Sequence, residues 1–299
     1  MAERYSNSQN YSIARGRLRL PGRLASLGKM VRVCQNRACL QRRVVWPDWL
    51  RKDDGVCLQG QWYCSSGCFE LAAQAVFRRL LPSPEPARRR PHRIPIGLFL
   101  LSRGTINNEQ LKLALDLQKE KGGGRIGKFL RQIQAASEQD ITDGLAAQWG
   151  CPVYPLGQAR DFLKCASLLP LTLLETGRML PVHHLRSAQM LYIGFVEGID
   201  HSALYAVEQM LRLRTVPCVV AESELLEALN SLRHSESEPA TVFDSPASPV
   251  EMARITRSYA RQVNATDVWI ARSGRFIWSR LQSALEPKDI LFQALGDVS

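Results

Sequence analysis

Four cysteines in two pairs carry the clearest chemistry in this chain. Cys34 and Cys39 enclose four residues, Cys64 and Cys68 enclose three, and 25 positions separate Cys39 from Cys64. Thiolates bind borderline-soft metals, and four of them complete the tetrahedral shell of a structural zinc at Zn–S distances near 2.3 Å. Disulfides are rare in a reducing compartment, so clustered cysteines there point to a metal. We therefore expect Cys34, Cys39, Cys64 and Cys68 to hold one zinc ion. Cys57, between Val56 and Leu58, is either a core residue or a replacement for one of the four. Cys151, Cys165 and Cys218 are isolated and read as core.

The second pair lies in WYCSSGCFELAAQAVFRRLL, a turn that enters a helix. Cys68 then falls in the first helical turn, where the helix dipole and unpaired N–H groups favour a thiolate. Two knuckles with the second feeding a helix resemble a treble-clef finger. The stretch Gln61-Trp62-Tyr63-Cys64-Ser65 is similar to the signature of small MYM/TRASH-type fingers, with looser spacing here.

The second motif is a 24-residue segment that occurs twice. Residues 95–118 read PIGLFLLSRGTINNEQLKLALDLQ, and residues 125–148 read RIGKFLRQIQAASEQDITDGLAAQ. Each opens with Ile-Gly, continues with Phe-Leu, turns, and ends an amphipathic run in Gln. One copy alone cannot bury its apolar face, so the two should pack as one pseudo-symmetric unit. Asn107 with Gln110, and Ser137 with Asp140, have the spacing of reciprocal helix caps.

The copies resemble the tandem motif of the MshEN-type module, the N-terminal module of GspE-like type II secretion and type IV pilus assembly ATPases. Leu168-Leu169-Pro170, the strand-like residues 179–183 and 190–196, Gly198-Ile199-Asp200 and the helix after Ser223 follow that module's second half. The resemblance covers about residues 94–233. In several members such modules bind cyclic di-GMP along the two motifs. That implies a ligand set of Ile96, Gly97, Leu100, Gln118, Arg125, Ile126, Gly127, Leu130 and Gln148. Arg125 would pair with a phosphate or guanine edge, the four aliphatic residues would meet the bases, and the glycines would permit close approach. Two positions depart from the motif: its opening Arg is Pro95 in the first copy, and its mid-motif Gly104 is matched by Gln134 in the second.

Residues 122–128, GGGRIGK, nearly spell a phosphate-binding loop. Phe129 stands where that loop needs a hydroxyl for Mg²⁺, and no hydrophobic strand precedes it. The His183-His184 pair places its rings on opposite faces of a strand, a poor joint site. No nucleophile–base or paired-carboxylate arrangement stands out, and we expect no enzyme.

Composition sets the remaining bounds. The 299 residues carry a net charge of +11. Residues 1–93 hold 18 Lys/Arg against 6 Asp/Glu, so the basicity belongs to the first third. Such clusters attract phosphates of nucleic acid, nucleotides or lipid. No apolar run reaches the roughly 18–20 residues of a membrane span, and the chain opens without a secretory leader, so a cytoplasmic protein is expected.

The expected fold class is α+β and multidomain. It comprises a flexible basic arm (1–30), a zinc finger (31–80), a Pro/Arg linker (81–93), a helical tandem repeat (94–150), an α/β subdomain (151–233), a linker (234–249) and a small αββα element (250–299). Its last helix is placed near residues 289–295. The leading functional expectation is a non-enzymatic adaptor that docks on a protein partner of a bacterial secretion or pilus system. The alternatives are a cyclic di-GMP receptor and nucleic-acid binding through the basic finger.

Overall fold

The computed structural model describes residues 33–40, 55–81, 94–158, 162–234, 240–245 and 247–294. The expected basic arm, the interior of the Pro/Arg linker and parts of residues 234–249 lie outside the described residues.

The repeat forms four helices: α2 (Ile96–Ser102), α3 (Asn108–Glu120), α4 (Ile126–Gln132) and α5 (Glu138–Trp149). Both expected capping boxes are present, Asn107 with Gln110 at α3 and Ser137 with Asp140 at α5. Each satisfies two N–H groups that a helix start otherwise leaves without partners. The copies interlock: α2 packs on α5 and α3 packs on α4. Leu100, Ile106, Leu111, Ala114, Phe129 and Leu130 form the shared core. The mid-motif turn needs a left-handed residue. Gly104 takes it at φ 73°, and Gln134 takes the same conformation at φ 58°.

The α/β part holds α6 (Phe162–Ala166), α7 (Leu171–Gly177), β3 (Met179–Leu185), β4 (Met190–Phe195), α8 (His201–Leu211), β5 (Arg214–Val219) and α9 (Glu222–Arg233). β3 and β4 pair antiparallel, and β4 pairs parallel with β5 through the α8 crossover. Asp200 caps α8 by accepting from the N–H groups of Ser202 and Ala203.

The finger consists of the knuckle around Cys34 and Cys39, β1 (Val56–Leu58), β2 (Gln61–Tyr63) and α1 (Ser66–Leu80). The C-terminal part consists of β6 (Thr241–Phe243), α10 (Pro249–Gln262), β7 (Asp267–Ser273), β8 (Phe276–Gln282) and β9 (Lys288–Gln293). Two expectations change here. The segment expected as a closing helix is the strand β9, because it pairs with β8 on one side and β6 on the other. The finger and the C-terminal element also share one sheet, in the order β2-β1-β7-β8-β9-β6, with β1 parallel to β7.

That sheet is covered on both faces. Ile277, Leu281, Ile290 and Phe292 face α1 and α10. Trp278, Phe276 and Leu291 face the α/β part. β8 is buried along nearly its whole length, so Ser279 and Arg280 lie inside the fold beside its apolar residues. No helix among the described residues is long and apolar enough to cross a membrane.

Candidate functional site

The four expected metal ligands come together. The sulfur atoms of Cys34, Cys39, Cys64 and Cys68 all lie within 4.8 Å of one another. A tetrahedron of 2.3 Å Zn–S bonds sets its sulfurs about 3.8 Å apart, so the set fits such an ion. Cys57 is not among them; it lies on β1 and donates its N–H to Thr266 O at 3.1 Å. Local structure builds the cage. Gln35 N–H donates to Trp62 O at 3.0 Å, which ties the first knuckle to β2. Ser65 caps α1 and accepts from the Cys68 N–H at 3.3 Å. Asn36 Nδ2 donates to Cys68 Sγ at 3.2 Å.

The thiols are not equivalent. Burial pushes the Cys34 and Cys64 thiols up, and for Cys64 the Cys39 thiol adds to the effect. Burial also raises Cys68, but hydrogen bonds with Ser65 and Asn36 outweigh it and bring that thiol down to about 7. Of these three, Cys68 lies closest to the thiolate form that a metal takes.

The second site is a cleft of about 590 Å³ between the repeat and the α/β part. Arg125, Ile126 and Gly127 open it from the start of α4, and Ile96 and Gln148 border it. Gln148 donates to Ile94 O, and Gln118 Nε2 donates to Gly124 O at 2.5 Å. The last residue of each copy thus fastens the residue preceding the other copy, which is how the pseudo-symmetric pair closes.

Four residues of the expected ligand set lie elsewhere. Leu100 and Leu130 are 1% and 0% exposed, so they are core beneath the cleft and not contact groups. Gly97 is buried against Leu111, whose Cδ1 would lie 2.7 Å from an added Cβ, so a side chain here would have to displace Leu111. Gln118 does not border the cleft.

The wall opposite Arg125 was not foreseeable from the motif. Arg125 pairs with Glu197 and lies 3.8 Å from Glu222. Arg178 pairs with the same Glu197, and its Nη2 lies 2.5 Å from Glu222. Arg131 holds Glu138 at 3.0 Å, and Glu138 accepts from Ser223 Oγ at 2.6 Å and from Ser223 N–H at 3.1 Å. Burial and the neighbouring Arg178 lower the Arg125 pKa, and Glu222 works against both. Burial raises the Glu138 pKa, but the bonds from Ser223 and the charge of Arg131 hold it below the usual carboxylate range. Glu197, Glu222 and Arg178 carry no local sequence signal, because they meet Arg125 only after the two halves pack.

No family model matches the chain. By sequence, 134 residues are 26% identical to the type IV pilus assembly ATPase PilB of Thermus thermophilus, which covers 45% of this chain. The chain spans only 15% of the length of that curated relative. Among solved structures, one of MshE with cyclic di-GMP is 25% identical, covering 48% of this chain and 99% of that one, with a TM-score of 0.39. One of the N-terminal domain of XpsE is 21% identical, covering 46% and 92%, with a TM-score of 0.35. With the doubled motif, the PilB match makes about half of the chain similar to a module of the GspE/MshE N-terminal type.

Proposed function

We propose that this chain is a non-enzymatic cytoplasmic adaptor that docks, through its secretion-ATPase-type module, on a protein partner of a secretion or pilus assembly system. The observation behind this reading is the ionic wall of the cleft. The motif arginine, Arg125, is already paired with Glu197 and neighbours Glu222. Its charge joins the repeat rigidly to the α/β half and leaves the outer surfaces of the module for a partner. Zinc at Cys34, Cys39, Cys64 and Cys68 would be structural in this protein, since a closed four-thiolate shell leaves no open position for chemistry. The direct test is titration calorimetry of the purified chain against cytoplasmic domains of pilus and secretion assembly components, with a Mg²⁺-ATP hydrolysis assay alongside. Saturable binding without turnover supports the adaptor. Hydrolysis that disappears in Lys128→Ala would overturn it.

A second reading is favoured by a separate observation. The cleft opens on Arg125, Ile126 and Gly127 and has the volume of a small-molecule site, typically about 300–1,000 Å³. This supports a cyclic di-GMP receptor. Four cations (Arg125, Lys128, Arg131 and Arg178) face three carboxylates (Glu138, Glu197 and Glu222) there, so a dianion would have to displace carboxylates from Arg125 and Arg178. Titration with cyclic di-GMP separates the two readings.

A further inference from the structure

The layer of α1 and α10 on the six-stranded sheet has a use that neither the repeat nor the metal centre requires. Both helices turn their apolar faces inward: Phe69, Ala73 and Phe77 from α1, and Met252, Ala253 and Ala260 from α10. They run antiparallel. The start of α1 follows Tyr63, which pairs with Val56 at the same sheet end where Cys57 meets Asp267, just after α10 has ended. The Arg257–Glu70 pair, at 2.5 Å, clamps them near that end.

The exposed cations of this pair are all arginine, and Glu251 in the first turn of α10 is its exposed carboxylate. Arg78 and Arg79 are exposed on the last turn of α1, and Arg254 and Arg261 are exposed on α10. Arg37 is exposed on the cysteine knuckle, whose Cys34 and Cys39 meet Cys68 in the first turn of α1. Arg257 is the inward exception, held by Glu70. None of the other five has an ion pair with a described residue. Arg254 and Arg261 lie two helical turns apart, about 10 Å along one face, and packed helix axes are about 8–10 Å apart. Five guanidiniums therefore occupy a strip roughly 20 Å long. The guanidinium fork matches phosphate oxygens in a way the lysine ammonium does not.

We propose that the α1/α10 face binds the phosphate backbone of a nucleic acid. An anionic membrane is the less suitable partner for this face. A helix that lies in a bilayer interface needs a broad apolar face turned outward. Here those faces are used against the sheet, and on the two helices Leu71 and Val250 are the exposed large apolar residues, with Val76, Leu80, Ile255 and Tyr259 half-buried against it. The face also offers no exposed aromatic ring on which bases could stack, so the binding is to backbone phosphates and not to sequence.

The experiment is fluorescence anisotropy of a labelled 20-base-pair duplex with the zinc-loaded full chain, from 50 to 200 mM salt. The five arginines contribute about −4.5 to the slope of log K against log salt, so this face alone accounts for a roughly 500-fold fall in affinity over that range. The variant R78Q/R79Q/R254Q/R261Q should retain its zinc and make the slope shallower by about 3.6. The variant R78K/R79K/R254K/R261K should keep the wild-type slope. If the quadruple Gln variant loses zinc, R254Q/R261Q carries the test, with a slope expected to be shallower than wild type by about 1.8. An unchanged slope in the Gln variants would place the phosphate contacts elsewhere in the chain and overturn the proposal. So would binding to vesicles of equal phosphatidylglycerol and phosphatidylcholine with no binding to the duplex.

Discussion

The side-chain amide of Gln59 donates to the backbone carbonyl of Ile270 at 2.8 Å, across 211 positions of the chain. It sits where β1 of the finger runs parallel to β7, and Gln59 N–H donates to Val268 O at 2.8 Å beside it. The cysteine cage is therefore an edge support of the C-terminal sheet. Replacing Cys64 with Ser removes one thiolate of four. The expected outcome is about one zinc per wild-type chain by elemental analysis, and in the variant a loss of metal together with faster amide exchange in β7 as well as in β1 and α1. Amides of α2–α5 keep their protection, since their core is separate. Unchanged exchange in β7 would mean that the finger folds without supporting the sheet.

Local chemistry was legible in the sequence and long-range pairing was not. The cysteine spacing pointed to the four thiols that the fold brings together, and Asn107/Gln110 and Ser137/Asp140 gave both capping boxes, because each pair lies within a few residues. The strand β9 was read as a helix because Ile290, Leu291 and Phe292 are all buried. A strand covered on both faces loses the alternation that distinguishes it from a short buried helix. The parallel contact of β1 with β7 and the Glu197 and Glu222 partners of Arg125 depend on how distant segments pack, and no periodicity encodes them.

The second copy of the repeat contains a residue at odds with its backbone. Gln134 sits at φ 58°, where the first copy has Gly104 at φ 73°. A non-glycine residue in the left-handed region costs roughly 1–2 kcal/mol. Gln134→Gly relieves this but gives back some unfolded-chain entropy. We expect a net gain of about 1 kcal/mol in urea unfolding, and a loss of similar size for Gly104→Ala. A destabilised Gln134→Gly would show that the Gln side chain contributes more than the strain removes.

Arg280 and Asp289 are the most buried ion pair among the described residues, with side chains 5% and 12% exposed. Asp289 also accepts from Trp278 Nε1 at 2.7 Å, and Arg280 Nη2 donates to Leu168 O at 2.9 Å. The cluster joins the C-terminal sheet to the end of α6. Asp289→Ala leaves a guanidinium buried without its anion, which typically costs about 3–5 kcal/mol. Chemical denaturation should register that loss. The double variant Arg280→Met/Asp289→Leu should recover most of it, as apolar replacement of a buried pair is often tolerated.

Glu138 connects α5 to the start of α9 through Ser223, and its pKa in the folded chain lies below the usual carboxylate range. A depressed folded pKa means that the unfolded chain binds the proton more readily, so stability falls as the solution is acidified. The contribution is fully present above the unfolded value, about 4.3, and is lost as pH falls through the folded value. Thermal midpoints of wild type and Glu138→Gln should therefore differ at pH 7 and converge as pH falls from about 4.3 through the lower folded value. A constant difference across that range would assign the tether to the hydrogen bonds alone.

Arg125 and Glu222 make opposite forecasts for the cleft. If cyclic di-GMP binds, Arg125 supplies a charge-assisted contact worth about 1.5–3 kcal/mol. Arg125→Ala should then weaken binding roughly ten- to a hundredfold. Glu222 lies 2.5 Å from Arg178 and 3.8 Å from Arg125, and a phosphate must compete with it for both. Glu222→Gln removes the competing charge without shortening the side chain, so it should tighten binding. Pro95→Arg restores the cation missing from the first copy and should also tighten it. Calorimetric titration of these three variants beside wild type decides among the outcomes. Weaker binding in Glu222→Gln would mean that the carboxylate contacts the ligand, for example a guanine edge, and does not oppose it. Absence of heat in all four proteins at roughly 100 µM, where micromolar affinity is readily visible, would leave Arg125 as a tie between the two halves of the module and the adaptor as the reading that stands.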